Sequence, residues 1–186
     1  MASDRETPSQ TAGPYVHIGC MPAKAGIDGM YGGVDPGSAM ILGPSAGEAV
    51  TLELDILDGE DTPLRDAMIE IWQAGPEGRF GATQNFSNWG RAATDAETGI
   101  ARFETLKPGA AGEQAPHILV WITARGINLG LTTRIYFADE ADRNAQDPVY
   151  CLAGERALTL VAARTPGGYR HTIRLQGVSE TVFFDV

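Results

Sequence analysis

The chain has 186 residues, a formal net charge of -10, 43% hydrophobic residues and 20% charged residues. That length suits one domain with a sizeable core. The acidic balance excludes a nucleic-acid-binding surface, because phosphates would be repelled, and is read as solubility. The 23 glycines and 11 prolines imply frequent turns and favour β architecture over a helical bundle. Cys20 and Cys151 are the only cysteines. They form neither a disulfide framework nor a zinc spacing and read as free thiols in a reducing compartment. The opening Met-Ala-Ser-Asp-Arg-Glu leads into no apolar run. No secretory signal or membrane span is therefore expected, and the expected location is the cytoplasm.

Residues 1–48 are rich in glycine, proline and small polar residues and show no sustained period. His17, Ile18, Met21, Met30, Tyr31, Met40, Ile41 and Leu42 give this segment more apolar side chains than a solvated tail needs. It is expected to be an ordered arm packed on a partner, followed by one β domain over residues 49–186. From Ala49, apolar Val50, Leu52, Leu54 and Ile56 alternate with Thr51, Glu53 and Asp55, the period of a half-buried strand. Further strands are expected over 67–73, 91–94, 99–104, 117–124, 131–138, 169–176 and 181–185. Short helices are expected over 139–147 and 155–163. Short strands separated by turn signals predict an all-β sandwich of mainly antiparallel strands, with short helices in its loops. Trp72, Trp89 and Trp121 read as core or interface anchors, and sequence does not separate those roles.

The segment Gln114-Ala115-Pro116-His117-Ile118-Leu119 resembles the Arg-Pro-Ala-His-Ile-His segment of the intradiol ring-cleaving dioxygenases. The resemblance extends, in order, to Thr7–Val16, Ile69–Ala74, Thr105–Gly109, Ala124–Asn128 and Glu180–Asp185. Within the family it is closest in character to the alpha chains of members built from two kinds of chain. The iron-bearing members hold Fe(III) with two tyrosines and two histidines. Here Phe80 stands in the Gly-Arg-Tyr context, Ala110–Glu113 contains no tyrosine, and Leu119 stands where the second histidine is expected. Residues 117 and 119 share one face of a strand, so that face offers one imidazole and one apolar group, a poor ferric site. His117 therefore reads as a hydrogen-bonded strand histidine. Gln114 replaces the arginine that precedes the first histidine in the family.

The resemblance implies that Fe(III) belongs to a partner beta chain and not to this one, and that the two chains form a higher-order hetero-oligomer. The reaction implied is intradiol cleavage of 3,4-dihydroxybenzoate by O2 to 3-carboxy-cis,cis-muconate. This chain alone is expected to be inactive and to contribute no catalytic or metal-binding residue. It is expected to line the substrate pocket with Thr11, Gly13, Pro14, Tyr15 and Arg125. Gly13 permits close backbone approach to a flat ring, and Pro14 fixes that backbone and adds an apolar surface. Tyr15 and Thr11 offer hydroxyl donors, and Arg125 offers a fork for a carboxylate. Arg134 competes as a structural ion-pair residue. Two alternatives stay open: a metal-free β-sandwich scaffold or binding protein derived from such an enzyme, or a subunit acting on another catechol.

Overall fold

The computed structural model describes residues 11–185. Thr7–Gln10 of the N-terminal motif and the first part of the arm lie outside the described residues. The strands are β1 (Ala49–Leu57), β2 (Met68–Gln73), β3 (Trp89–Ala93), β4 (Ile100–Leu106), β5 (His117–Thr123), β6 (Leu131–Phe137), β7 (Val161–Thr165) and β8 (Gly168–Arg174). They form one mixed, eight-stranded sheet in the order β3-β2-β5-β6-β7-β8-β1-β4. The sheet folds over so that β3 and β4, its two ends, approach each other. β7 joins the halves: it pairs parallel with β6 through two residue pairs and antiparallel with β8 through three. β1 and β8 supply the second parallel pair.

The alternation in β1 decides which face is inside. Val50, Leu52, Leu54 and Ile56 are all buried, while Thr51, Glu53 and Asp55 point outward. Ile69 and Ile71 of β2 and Ile118, Val120 and Ile122 of β5 meet them from the facing layer in one continuous core. Each such side chain contributes about 1.5–3 kcal/mol on burial, enough to fix the register of every strand that carries them.

Three expectations need correction. Pro14–Cys20 is a short helix, α1, inside the arm; its glycine and β-branched residues hide a helical period. The helix expected over residues 155–163 is a 3-10 helix that spans Gly154–Leu160 and stops where β7 begins at Val161. Residues 181–185 join no ladder. They cross to β6 instead, where the Phe184 amide donates to the Thr132 carbonyl at 2.8 Å and the Thr133 hydroxyl to the Val182 carbonyl at 2.6 Å. Between β6 and β7, a 3-10 turn leads into α2 (Ala141–Asn144), followed by α3 (Pro148–Leu152), capped by Asp147.

Candidate functional site

Strand alternation sets the site. With Ile118, Val120 and Ile122 turned inward, His117, Leu119 and Trp121 lie on the outer face of β5. Register then builds rows across neighbouring strands. One row runs Trp89, Trp72, Leu119, Arg134, and the next runs Arg91, Glu70, Trp121. His117 lies opposite Tyr136, one step further along.

His117 is buried on this face, between the Phe80 ring at 6.5 Å and the Tyr136 ring at 5.8 Å. Its Nδ1 lies 2.8 Å from the Ala115 carbonyl, which only accepts, so Nδ1 carries the proton and Nε2 the lone pair. Burial pushes the imidazole pKa below its usual value, and the nearby Arg134 guanidinium acts in the same direction. Tyr136 packs edge-on against Tyr150, and burial pushes its phenol up to about 12. The expectation for His117, a hydrogen-bonded strand histidine, matches this geometry. The expectation for Arg134 does not: no carboxylate among the described residues lies within ion-pair distance of it. Its partners are the Gln114 amide oxygen at 3.3 Å and the Tyr136 hydroxyl at 3.5 Å.

The donor set here does not fit a ferric ion. Phe80 and Leu119 bring carbon to the positions that need oxygen and nitrogen, leaving a single imidazole. Among the described residues, no group of three or more His, Cys, Asp or Glu side chains is placed to hold a metal. The loops around the site are fixed by close backbone contact. The Gly109 amide donates to the Gly75 carbonyl at 3.0 Å, and Gly78, at φ +74°, lies against the Ala110 carbonyl.

Two of the other predicted residues, Arg125 and Thr11, meet at the far end of β5, about 20 Å along the strand from His117. Arg125 follows β5 in a turn; its guanidinium is 73% exposed and meets Asp66 at 3.4 Å. The next residue, Gly126, donates its amide to the Thr11 hydroxyl at 2.7 Å. Thr11 and Arg125, far apart in sequence, are thus neighbours. Gly13 caps the N-terminus of α1, and Pro14 occupies its first turn. Tyr15 is 84% exposed and turned to solvent. A groove of about 500 Å³ adjoins Arg125, lined by Leu64, Ile127, Leu129, Leu131 and Leu175 with Asn128 and Gln176. Two participants went unread in the sequence. Asp66 gave no signal among many acidic turn residues. The outward direction of Trp72 was readable from the inward Ile69 and Ile71, since a strand places Trp72 on the face opposite theirs.

Comparison with known proteins gives a consistent result. The chain is 42% identical to the protocatechuate 3,4-dioxygenase alpha chain of Pseudomonas putida over 97% of its own length and 96% of that protein. It is also 42% identical to the alpha chain of Burkholderia cepacia over the full length of both. A shorter stretch, 39% of this chain and 34% of the relative, is 37% identical to the Burkholderia cepacia beta chain. No family profile matches. Among solved structures, an intradiol ring-cleavage dioxygenase from Tetranychus urticae superimposes with a TM-score of 0.58 at 18% identity, covering 72% of this chain and 82% of that one. A 3-chlorocatechol 1,2-dioxygenase from Rhodococcus opacus gives 0.57 at 18%, covering 75% and 64%. These two likenesses concern the fold.

Proposed function

Because this chain belongs to the family of protocatechuate 3,4-dioxygenase alpha chains, we propose that it walls the substrate pocket of an iron-bearing beta chain. The enzyme they form opens the ring of 3,4-dihydroxybenzoate (protocatechuate) with O2 to give 3-carboxy-cis,cis-muconate. Fe(III) sits on the beta chain and supplies the activation of the catechol. The observation that carries this reading is the Thr11–Gly126 contact, which ties the arm to the turn that bears Arg125, while the ligand positions of this chain hold Phe80 and Leu119. A chain that offers one imidazole at those positions keeps an exposed guanidinium and a hydroxyl-bearing arm side by side.

Each residue then has a task. Arg125 exchanges its exposed Asp66 partner for the substrate carboxylate, in a geometry that a guanidinium fork favours. Gly13 lets the backbone approach the ring, and Pro14 holds that backbone in place. Thr11 and Tyr15 offer hydroxyls to the substrate's polar edge. Holding the ring in one orientation raises the rate by positioning alone. The free thiols Cys20 and Cys151 fit a reducing compartment, and we place the enzyme in the cytoplasm.

Arg125→Ala in the assembled enzyme tests this reading. It is expected to lower kcat/KM for protocatechuate by about tenfold to a hundredfold, the range of a charge-assisted hydrogen bond. Catechol, which has no carboxylate, is expected to lose far less. Arg134→Ala is the control and is expected to leave the ratio between the two substrates unchanged. An equal loss for both substrates in Arg125→Ala would show that the arginine does not read the carboxylate.

A further inference from the structure

The register of β2 and β5 carries past the ends of both strands. Met68 stands opposite Thr123, Glu70 opposite Trp121 and Trp72 opposite Leu119. Continued by one step on the same face, it sets Asp66 opposite Arg125. Ala67 and Ala124, of the other parity, are fully buried, so Asp66 and Arg125 point outward. Local bonds hold both backbones. The Ala67 amide donates to the Thr94 hydroxyl at 3.0 Å, and the Thr94 amide donates to the Ala67 carbonyl at 2.9 Å. Across from it, the Ile127 amide donates to the Ala124 carbonyl at 3.2 Å, closing a turn in which Gly126 has φ +86°. The fold thus makes Asp66 and Arg125 neighbours before any ligand arrives.

The pair is nonetheless open. Arg125 Nε and Asp66 Oδ2 are 3.4 Å apart, beyond the length of about 2.7–2.9 Å that a charge-assisted hydrogen bond takes. Elsewhere the same folded sheet closes such pairs. Arg91 meets Glu70 at 2.6 Å, and Arg170 meets Asp55 through two bonds at 2.7 and 2.8 Å. A guanidinium with a fixed but loosely engaged partner is both held and available.

The reaction gives that arrangement a use. Ring opening turns each hydroxyl-bearing carbon into a carboxylate and leaves the original carboxylate in place. An arginine that reads this group therefore grips substrate and product alike. Such uniform binding lowers KM without raising kcat, and it holds the product back. We propose that Asp66 is a specificity-determining residue that acts through Arg125. It is an internal rival for the guanidinium: it limits how tightly the pocket holds a carboxylate and takes Arg125 back as the product leaves. This rests on the pocket-wall reading above. The rival is weak, as it has to be if substrate is to displace it. An exposed ion pair of this kind shifts an equilibrium by about twofold to fivefold.

Asp66→Asn in the assembled enzyme keeps the size of the side chain and removes the rival charge. The KM for protocatechuate and the inhibition constant of added 3-carboxy-cis,cis-muconate are expected to fall together, each by about twofold to fivefold, with no rise in kcat. The KM for catechol is expected to move much less. Asp66→Glu, which keeps the charge, is expected to stay near the wild type in all three. In an Arg125→Ala background the effect of Asp66→Asn is expected to disappear, an outcome that a merely structural role would not give. A higher KM for protocatechuate in Asp66→Asn overturns the proposal, because Asp66 then aims Arg125 at substrate and does not compete for it. So do unchanged constants, or an equal effect with and without Arg125. If Arg125→Ala does not separate protocatechuate from catechol, the pocket-wall reading fails and this one with it. If it does separate them while Asp66→Asn changes nothing, only the rival fails.

Discussion

His171 on β8 lies between the inward-facing Tyr169 and Ile173, opposite Leu54. Its Nδ1 faces the Val161 carbonyl at 3.2 Å, and its buried Nε2 has no partner. Burial lowers its pKa from 6.5 to about 4. The folded state therefore binds this proton less readily than the unfolded state. The contribution to stability is complete above pH 6.5, falls as pH drops toward about 4 and levels off below. The full loss is about 3 kcal/mol. Denaturant titrations from pH 7.5 to 4 are expected to show this decline, and His171→Leu is expected to flatten it. At the opposite face, Leu119→His is expected to add no iron to the assembled enzyme by metal analysis, because Phe80 still offers no oxygen donor. The carbon at Phe80 and Leu119 was legible in the sequence because a side chain's chemistry is independent of its surroundings. The pairing of Arg134 was not legible, because it depends on which residue sits across the strand.

The elements were legible where period and burial agreed. β1 alternates cleanly because one side faces the core and the other faces water. The stretch before β7 mixes apolar residues without a period of 2, since it winds through a 3-10 turn before the strand begins. Thr181–Asp185 has strand composition but reaches β6 through isolated bonds rather than a ladder. The loops that flank His117 give a sharper prediction. A Cβ at Gly78 meets the Ala110 carbonyl oxygen at 1.8 Å, and the backbone there has φ +74°. Both backbone segments must shift to accept it. Gly78→Ala is expected to destabilise the chain by about 1–3 kcal/mol, seen as a lower Tm, whereas Gly81→Ala, also at positive φ (+119°), meets no neighbouring atom and should cost less. Equal melting of the two variants would show that the loop contact is not rigid.

At the scale of the whole molecule, the arm and the folded sheet are separable in energetic terms. Met21, Pro22 and Met40 are the buried apolar residues of the described arm, and all three follow α1. Removal of residues 1–16 takes away the Thr11–Gly126 bond and Tyr15 but leaves both methionines seated. The truncated chain is expected to melt near the full-length chain and to assemble with its partner, while kcat/KM for protocatechuate falls at least about tenfold through lost positioning. Thermal melting and steady-state kinetics on the same complex separate the two effects, and unchanged kinetics would show that the arm does not reach substrate.

The ligand positions of this family fall, in this chain, on the outside of β5 and in two loops, and none of them belongs to the core. Ile118, Val120 and Ile122 hold the sheet together with their backs to the chemistry. Positions 80 and 119, which are not buried, can therefore lose a tyrosine or a histidine without opening a cavity, whereas His117 is buried and held to the Ala115 carbonyl. Natural selection on stability alone gives no reason to keep a metal here. What it does preserve is the shape of the outer surface, and a subunit that has shed its reaction can persist for the sake of the neighbour it covers.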